Sequence, residues 1–209
     1  MKKLYMSILV LFQMMLLCQT SVPPSAGDGT SGNPYQIETL ENLYWIAATD
    51  AEVSSPSRSV RWSSYYIQTN DIDASGTSGW FPDGSGGFYG WSPIGASTPN
   101  FTGAYDGQGH TVSGLYIYRP TADYEGLFGY VSGAWISNLR IENCNFYGKN
   151  YSGAVAGYAY GFTIISGCSS SGIVESLYNY SGGITGRINT HCSIQNSFSE
   201  CAEIGRAHV

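Results

Sequence analysis

Asn150-Tyr151-Ser152-Gly153 recurs unchanged as Asn179-Tyr180-Ser181-Gly182, 29 residues later. The same interval of 29 separates Ile136-Ser137-Asn138 from Ile165-Ser166-Gly167, and that triplet from Ile194-Gln195-Asn196. Gly129, Gly157 and Gly186 are spaced by 28 and 29. Three independent landmarks on one period mark a repeat array. The residues inside the period decide its kind. Each unit holds short apolar runs, such as Ala154-Val155-Ala156 and Ile173-Val174, separated by Gly and Ser. None carries an amphipathic helical pattern, and propeller blades usually need about 40 residues or more. A unit of this length fits two or three short strands with turns. That is one rung of a parallel β-solenoid, with rungs about 4.8 Å apart. Ile136, Ile165 and Ile194 then stack in the core, and glycines at the bends supply the left-handed backbone.

Outward from the repeats the pattern changes. Residues 21–100 are read as an N-terminal capping region and 101–202 as the repeats, with strands around Phe101 and over Thr111–Tyr118. Tyr35–Ile37 and Tyr65–Thr69 are strand-like, being aromatic and β-branched. Thr39 is an N-cap candidate, and Leu40, Leu43, Ile46 and Ala47 recur at helical spacing, predicting one short capping helix to about Thr49. Ser54–Ser64 and Ser75–Gly90 are read as loops.

The two ends are distinct. Lys2 and Lys3 precede an apolar run, Leu4–Leu17, and a polar exit, so residues 1–20 predict a secretory signal peptide. The run is shorter than the roughly 20 residues that span a bilayer. Cys18 follows Leu17, which is too bulky for the usual lipoprotein pattern. Glu203–Val209 continues no upstream pattern and matches the translation of a common sequencing adapter. It is read as foreign to the gene, so the natural chain is expected to run on.

Between Ser21 and Ala202 six Lys and Arg face fourteen Asp and Glu. An acidic chain without a basic patch excludes nucleic acid as a partner class. Cys144, Cys168, Cys192 and Cys201 lack metal-type spacing. They read as small buried residues of a β core, although an oxidising destination permits disulfides of any pairing.

The chain resembles bacterial GLUG-motif secreted repeat proteins. The residues that carry the likeness are Gly126-Leu127-Phe128-Gly129-Tyr130, Gly153-Ala154-Val155-Ala156-Gly157-Tyr158 and Gly182-Gly183-Ile184-Thr185-Gly186, preceded by Phe101 to Val112. Asn70 to Asp73, Trp91 to Gly95 and Gly29 to Tyr35 add to it, so it spans about residues 27–200. The resemblance implies a right-handed parallel β-helix on large, exported, adhesin-like proteins. Some relatives of that kind carry a peptidase domain, but no His-Glu-x-x-His occurs here and the chain has three His.

Few residues suggest chemistry. Asp106-Gly107-Gln108-Gly109-His110 lacks the second Asp and the Arg-x-Lys of a β-helix pectinase, and Arg187-Ile188-Asn189 is no substitute. It reads as a turn in which Asp106 accepts from nearby backbone N–H groups. Asp71 and Asp73, two apart, are the calcium candidates, with a capping turn favoured over a metal site. Glu142 shifted by 29 falls on Ser171, and Glu175 shifted back falls on Phe146, so no carboxylate pair stacks and no catalytic residue is assigned. Tyr124, Tyr151 and Tyr180 each stand two residues before a repeat glycine. They predict a ladder, structural in the first instance, and with Tyr158 they are the candidate binding residues. The expectation is a secreted or cell-surface module that binds glycan or a host or matrix protein, or serves as a stalk, and that self-associates through an open solenoid end. The competing expectations are a polysaccharide-degrading β-helix enzyme and the non-catalytic part of a larger secreted peptidase.

Overall fold

The computed structural model describes residues 19–205. The apolar leader, Cys18 and residues 206–209 lie outside that range. The chain is a parallel β-solenoid built from three sheets. The first sheet stacks Tyr35–Ile37, Tyr65–Gln68, Ala104–Asp106, Trp135–Ser137, Ile164–Ser166 and Ser193–Gln195. The second stacks Phe128–Ser132, Ala156–Tyr160 and Thr185–Ile188. The third runs from Ile72–Asp73 through Thr111–Ser113, Arg140–Gly153 and Ser169–Gly182 to Phe198–Gly205, with Tyr116–Glu125 also paired to Arg140–Gly153.

The rungs turn at left-handed corners, and the period places like residues on them. Tyr124, Tyr151 and Tyr180 lie one or two residues before the ends of their third-sheet strands, where the chain turns toward the second sheet, with φ of 68°, 59° and 56°. Gly133, Phe162 and His191 turn the chain into the first sheet, and Asn138, Gly167 and Asn196 turn it back into the third, all at positive φ. The repeated glycines beside the tyrosine corner serve a different purpose, close backbone approach. A Cβ on Gly157 would lie 2.5 Å from the carbonyl carbon of Tyr124, and one on Gly186 would lie 2.5 Å from that of Tyr151. Each rung therefore nests against the corner of the rung before it.

The predicted core stack is present. Ile136, Ile165 and Ile194 are direct partners in the first sheet, and Tyr105 pairs with Ile136 below them. Ile165 is fully buried, whereas Ile194 on the last rung is 38% exposed, because among the described residues nothing covers that end. At the other end the same ladder extends into residues 21–100, since Tyr35 pairs with Tyr66 and Tyr66 with Tyr105. The intervals there are 31 and 39 residues, so longer loops hide the period in the sequence.

Thr39 caps the predicted helix, accepting from the Asn42 N–H at 3.3 Å. This helix, Leu40–Ala47, ends two residues short of Thr49 and packs Tyr44 and Trp45 into an aromatic plug with Trp62, Trp80 and Trp91. Three readings need correction. Ser54–Ser64 is not only loop, because Arg58–Arg61 is helical and the fully buried Arg61 donates to the carbonyls of Val53, Pro56 and Ala48. The run Thr111–Tyr118 is broken at Gly114, whose φ is +71°. Glu175 faces Tyr147, not Phe146, because a bulge at Asn143, also at positive φ, shifts the register by one.

Replacing Gly157 with Ala is expected to cost more than about 2 kcal/mol, because the clash is with backbone that has no room to move. Gly76→Ala meets no atom within 4 Å and is expected to stay within about 0.5 kcal/mol. Urea unfolding of both variants checks the contrast.

Candidate functional site

The corner tyrosines do form a ladder. Tyr124 and Tyr151 stack at 5.3 Å between centroids with planes 11° apart, and Tyr151 and Tyr180 at 5.4 Å and 7°. Beside it a second column rises from the second sheet, where Tyr130, Tyr158 and Arg187 are successive register partners. Tyr130 meets Tyr158 edge-on at 4.9 Å, and Tyr158 also stacks at 5.9 Å on Tyr124 and 5.8 Å on Tyr151. The Arg187 guanidinium takes the third place. It lies 5.5, 5.4 and 5.4 Å from the rings of Tyr151, Tyr158 and Tyr180, and its Nη1 donates to the Tyr151 hydroxyl at 3.3 Å. That hydrogen bond and the surrounding phenols raise its pKa above the ordinary value. Asn189 Nδ2 donates to the Tyr158 hydroxyl at 2.8 Å.

The chemical character of this strip follows from its packing. Stacked rings cover each other's faces, so the column offers ring edges and phenol hydroxyls, with Tyr180 the most open at 55% exposure. Aromatic edges are the positive part of the ring quadrupole. With Arg187 exposed beside them, they make a polar, locally electropositive strip on an acidic chain. The backbone cost is informative too. A bulky residue at positive φ is an outlier that costs on the order of 1–3 kcal/mol, and such strain clusters at functional positions. Here glycine would turn each corner more cheaply, yet tyrosine occupies all three.

The other candidates have local duties. Asp106 Oδ1 accepts from the Gln108 N–H and from Asn138 Nδ2, both at 3.0 Å, and its Oδ2 accepts from Gln108 Nε2 at 2.6 Å. Asp71 Oδ1 accepts from the Thr111 N–H at 2.8 Å and faces His110 Nδ1 at 3.2 Å, contacts that hold its carboxyl below the usual range. Asp73 Oδ1 instead accepts from the Ser75 N–H at 2.9 Å. The two carboxylates are thus engaged by different partners, and among the described residues no three His, Cys, Asp or Glu group to hold a metal. The four cysteines are free thiols in this structure, with Cys144 and Cys168 buried. Cys144 and Cys201 both pair with Gly172, one rung to either side. The sequence reading missed Arg187, Tyr130 and Tyr160 as members of the cluster, the Tyr160 ring lying 6.3 Å from that of Tyr130 and 6.2 Å from that of Tyr158. Two signals were available: Arg187 falls 29 residues after Tyr158, and Tyr130 falls 28 before it, the interval that separates Gly129 from Gly157.

No family profile matches the chain. It is 40% identical over 141 residues to halomucin of Haloquadratum walsbyi, covering 65% of this chain and 1% of that protein. It is 32% identical over 119 residues to a candidate Gly-rich membrane protein of Evansella cellulosilytica, covering 56% of this chain and 12% of that one. This chain therefore spans a small part of either relative. Among solved structures it is similar to a candidate immunoglobulin A1 protease from Bacteroides ovatus, with a TM-score of 0.51 and 17% identity, covering 86% of this chain and 70% of that one. That likeness supports the solenoid fold alone. Among the described residues no helix is long and apolar enough to cross a membrane.

The strained corner gives a test of its own. Tyr151→Gly relieves the left-handed strain while losing the ring contacts to Tyr124, Tyr158 and Tyr180, whereas Tyr151→Ala loses the same contacts and keeps the strain. The Ala variant is expected to be less stable than the Gly variant by about 1 kcal/mol, the reverse of the usual order in a strand. Equilibrium denaturation of the pair checks the order.

Proposed function

We propose that this chain is a non-catalytic, exported or cell-surface repeat module that binds glycan along the strip formed by Tyr124, Tyr151, Tyr180, Tyr158 and Arg187. The observation that carries the reading is the strip itself: three strained tyrosines in register, with an exposed guanidinium held across the rings of Tyr151 and Tyr180. Hydroxyl-rich ligands suit it, because phenol groups both donate and accept. The ring spacing is comparable with one sugar unit of an extended polysaccharide. A flat protein partner would instead seek an apolar centre, which stacked rings do not expose. The mucin and membrane-protein names of the relatives support placement at the cell surface.

A glycan array with the purified chain tests the reading, alongside a reducing-sugar release assay on the same ligands. Tyr151→Ala with Tyr180→Ala, and separately Arg187→Gln, are expected to weaken binding by about tenfold or more, a loss near 1.4 kcal/mol. Retained affinity in folded variants would leave the ladder a structural role only. Release of oligosaccharide by the unaltered chain would overturn the non-catalytic reading.

A further inference from the structure

The repeat that opens the period has an earlier, altered copy. Asp123-Tyr124-Glu125-Gly126 stands where Asn150-Tyr151-Ser152-Gly153 and Asn179-Tyr180-Ser181-Gly182 stand on later rungs. The register is direct, Asp123 pairing with Asn150 and Glu125 with Ser152, as Asn179 and Ser181 pair with them in turn. Two neutral polar residues have become acids on this rung alone. Asp123 is absorbed by the ladder, its Oδ1 accepting from Asn150 Nδ2 at 2.8 Å. Glu125 is not. It is 2% exposed, and its Oε2 has no hydrogen-bond partner among the described residues. Gly148 leaves the space it occupies, since a Cβ there would lie 2.7 Å from Glu125 Cγ.

Glu125 lines a cleft of about 350 Å³ between the solenoid flank and the N-terminal cap, with Arg119, Asp123, Tyr124 and, across from them, Arg58 and Trp62. Arg119 is fixed from behind by its Nε donating to the Trp91 carbonyl at 3.0 Å and its Nη2 to that of Gly90 at 3.4 Å. Arg58 lies 4.8 Å over the Trp62 ring. Arg119 and Glu125 do not close on each other, as no ion pair within 4.0 Å joins them among the described residues. Burial raises the Glu125 pKa to about 8, against the pull of Arg119 and with the push of Asp123. The charged groups that act on it are Arg119 and Asp123 on its own strand, and Arg58 of the cap lines the same cleft. The phenols of Tyr44 and Tyr89 act on Arg119. At neutral pH the cleft holds two guanidinium groups, one carboxylate and one carboxyl that has a proton to donate. It has one positive charge in excess and an unpaired buried donor, which a single carboxylate completes.

We propose that this cleft is a second binding site, for the carboxylate of an acidic sugar such as a uronate, held by the guanidinium groups of Arg119 and Arg58 and by the Glu125 hydroxyl. The carboxylate part rests on the cleft alone. The sugar part rests on the strip reading above, because Tyr124 is both a wall of the cleft and the first ring of the ladder.

Calorimetric titration of the intact exported chain with free galacturonate, a galacturonate oligomer and the neutral galactose oligomer of equal length tests both parts. At pH 6 the acidic oligomer is expected to bind at least about tenfold more tightly than the neutral one. That preference is expected to fall as pH rises through about 8, where Glu125 ionises and becomes a second anion. Glu125→Gln keeps a donor and is expected to keep the preference without the fall. Arg119→Gln and, as a variant that spares the Arg119 backbone contacts, Arg58→Gln are expected to reduce it. Thermal unfolding supplies a readout without ligand. The folded chain holds its Glu125 proton more tightly than the unfolded chain. The stability this lends is complete below the ordinary carboxyl value of 4.5 and is lost as pH climbs to about 8. Glu125→Gln should therefore flatten the melting temperature over that window. Equal affinity for the acidic and neutral oligomers would overturn the cleft, as would a preference that survives both arginine variants in folded protein. Free galacturonate that binds with the expected pH fall, while neither oligomer gains from length, would uphold the cleft and remove the strip. No binding of any of the three would remove both.

Discussion

The structure depends on a backbone that enters the left-handed region at the same points of each repeat rung. Three successive corners of this kind close each circuit, and the one filled by Tyr124, Tyr151 and Tyr180 is the least comfortable for its side chains. Close packing holds it in place. Gly157 and Gly186 let the next rung settle directly onto the corner backbone, and the stacked rings add about 0.5–1.5 kcal/mol per contact. Neither half works alone, since without the glycines the rungs separate and without the rings the strain is uncompensated. The same nesting brings Tyr130, Tyr158 and Arg187 alongside, so the surface proposed to bind glycan is a by-product of how the solenoid turns.

Much of this was legible in the sequence, and the reasons are physical. A solenoid repeats its chemistry because each rung meets the same neighbours, so the 29-residue interval was enough to place Ile165 between Ile136 and Ile194, and the position two residues before a repeat glycine aligned the tyrosine ladder although Tyr124 and Tyr151 are 27 apart. Thr39 was legible because capping is a local matter. The misses are of three kinds. A one-residue bulge at Asn143 is invisible to an average period, so Glu175 was set one place out. Longer connections concealed that Tyr35 and Tyr66 belong to the same ladder as Tyr105. Arg187 and Glu125 were passed over because each departs from the repeat, in columns otherwise filled by Tyr and by Ser.

Those departures are where function concentrates in this reading. Residues that obey the repeat build the prism, and Phe128, Ile136, Phe146, Ile165 and Val174 are fully buried for that purpose. Residues that break the repeat lack that explanation. Arg187 replaces a tyrosine at the rim of an aromatic column, and Glu125 replaces a serine at the cost of a buried, unsatisfied oxygen. The strip and the cleft meet at Tyr124, which makes one extended surface of the two.

The most direct measurement of the central claim is a nuclear magnetic resonance titration of the intact chain with a defined acidic oligosaccharide, following the tyrosine ring and arginine side-chain signals. The account requires saturable shifts that begin at Tyr124, run through Tyr151 and Tyr180, and include the Arg187 guanidinium, while the buried rings of Trp45 and Trp80, which line neither the strip nor the cleft, stay still. Saturable shifts confined to residues away from this corner, with the ladder signals unmoved, would contradict it.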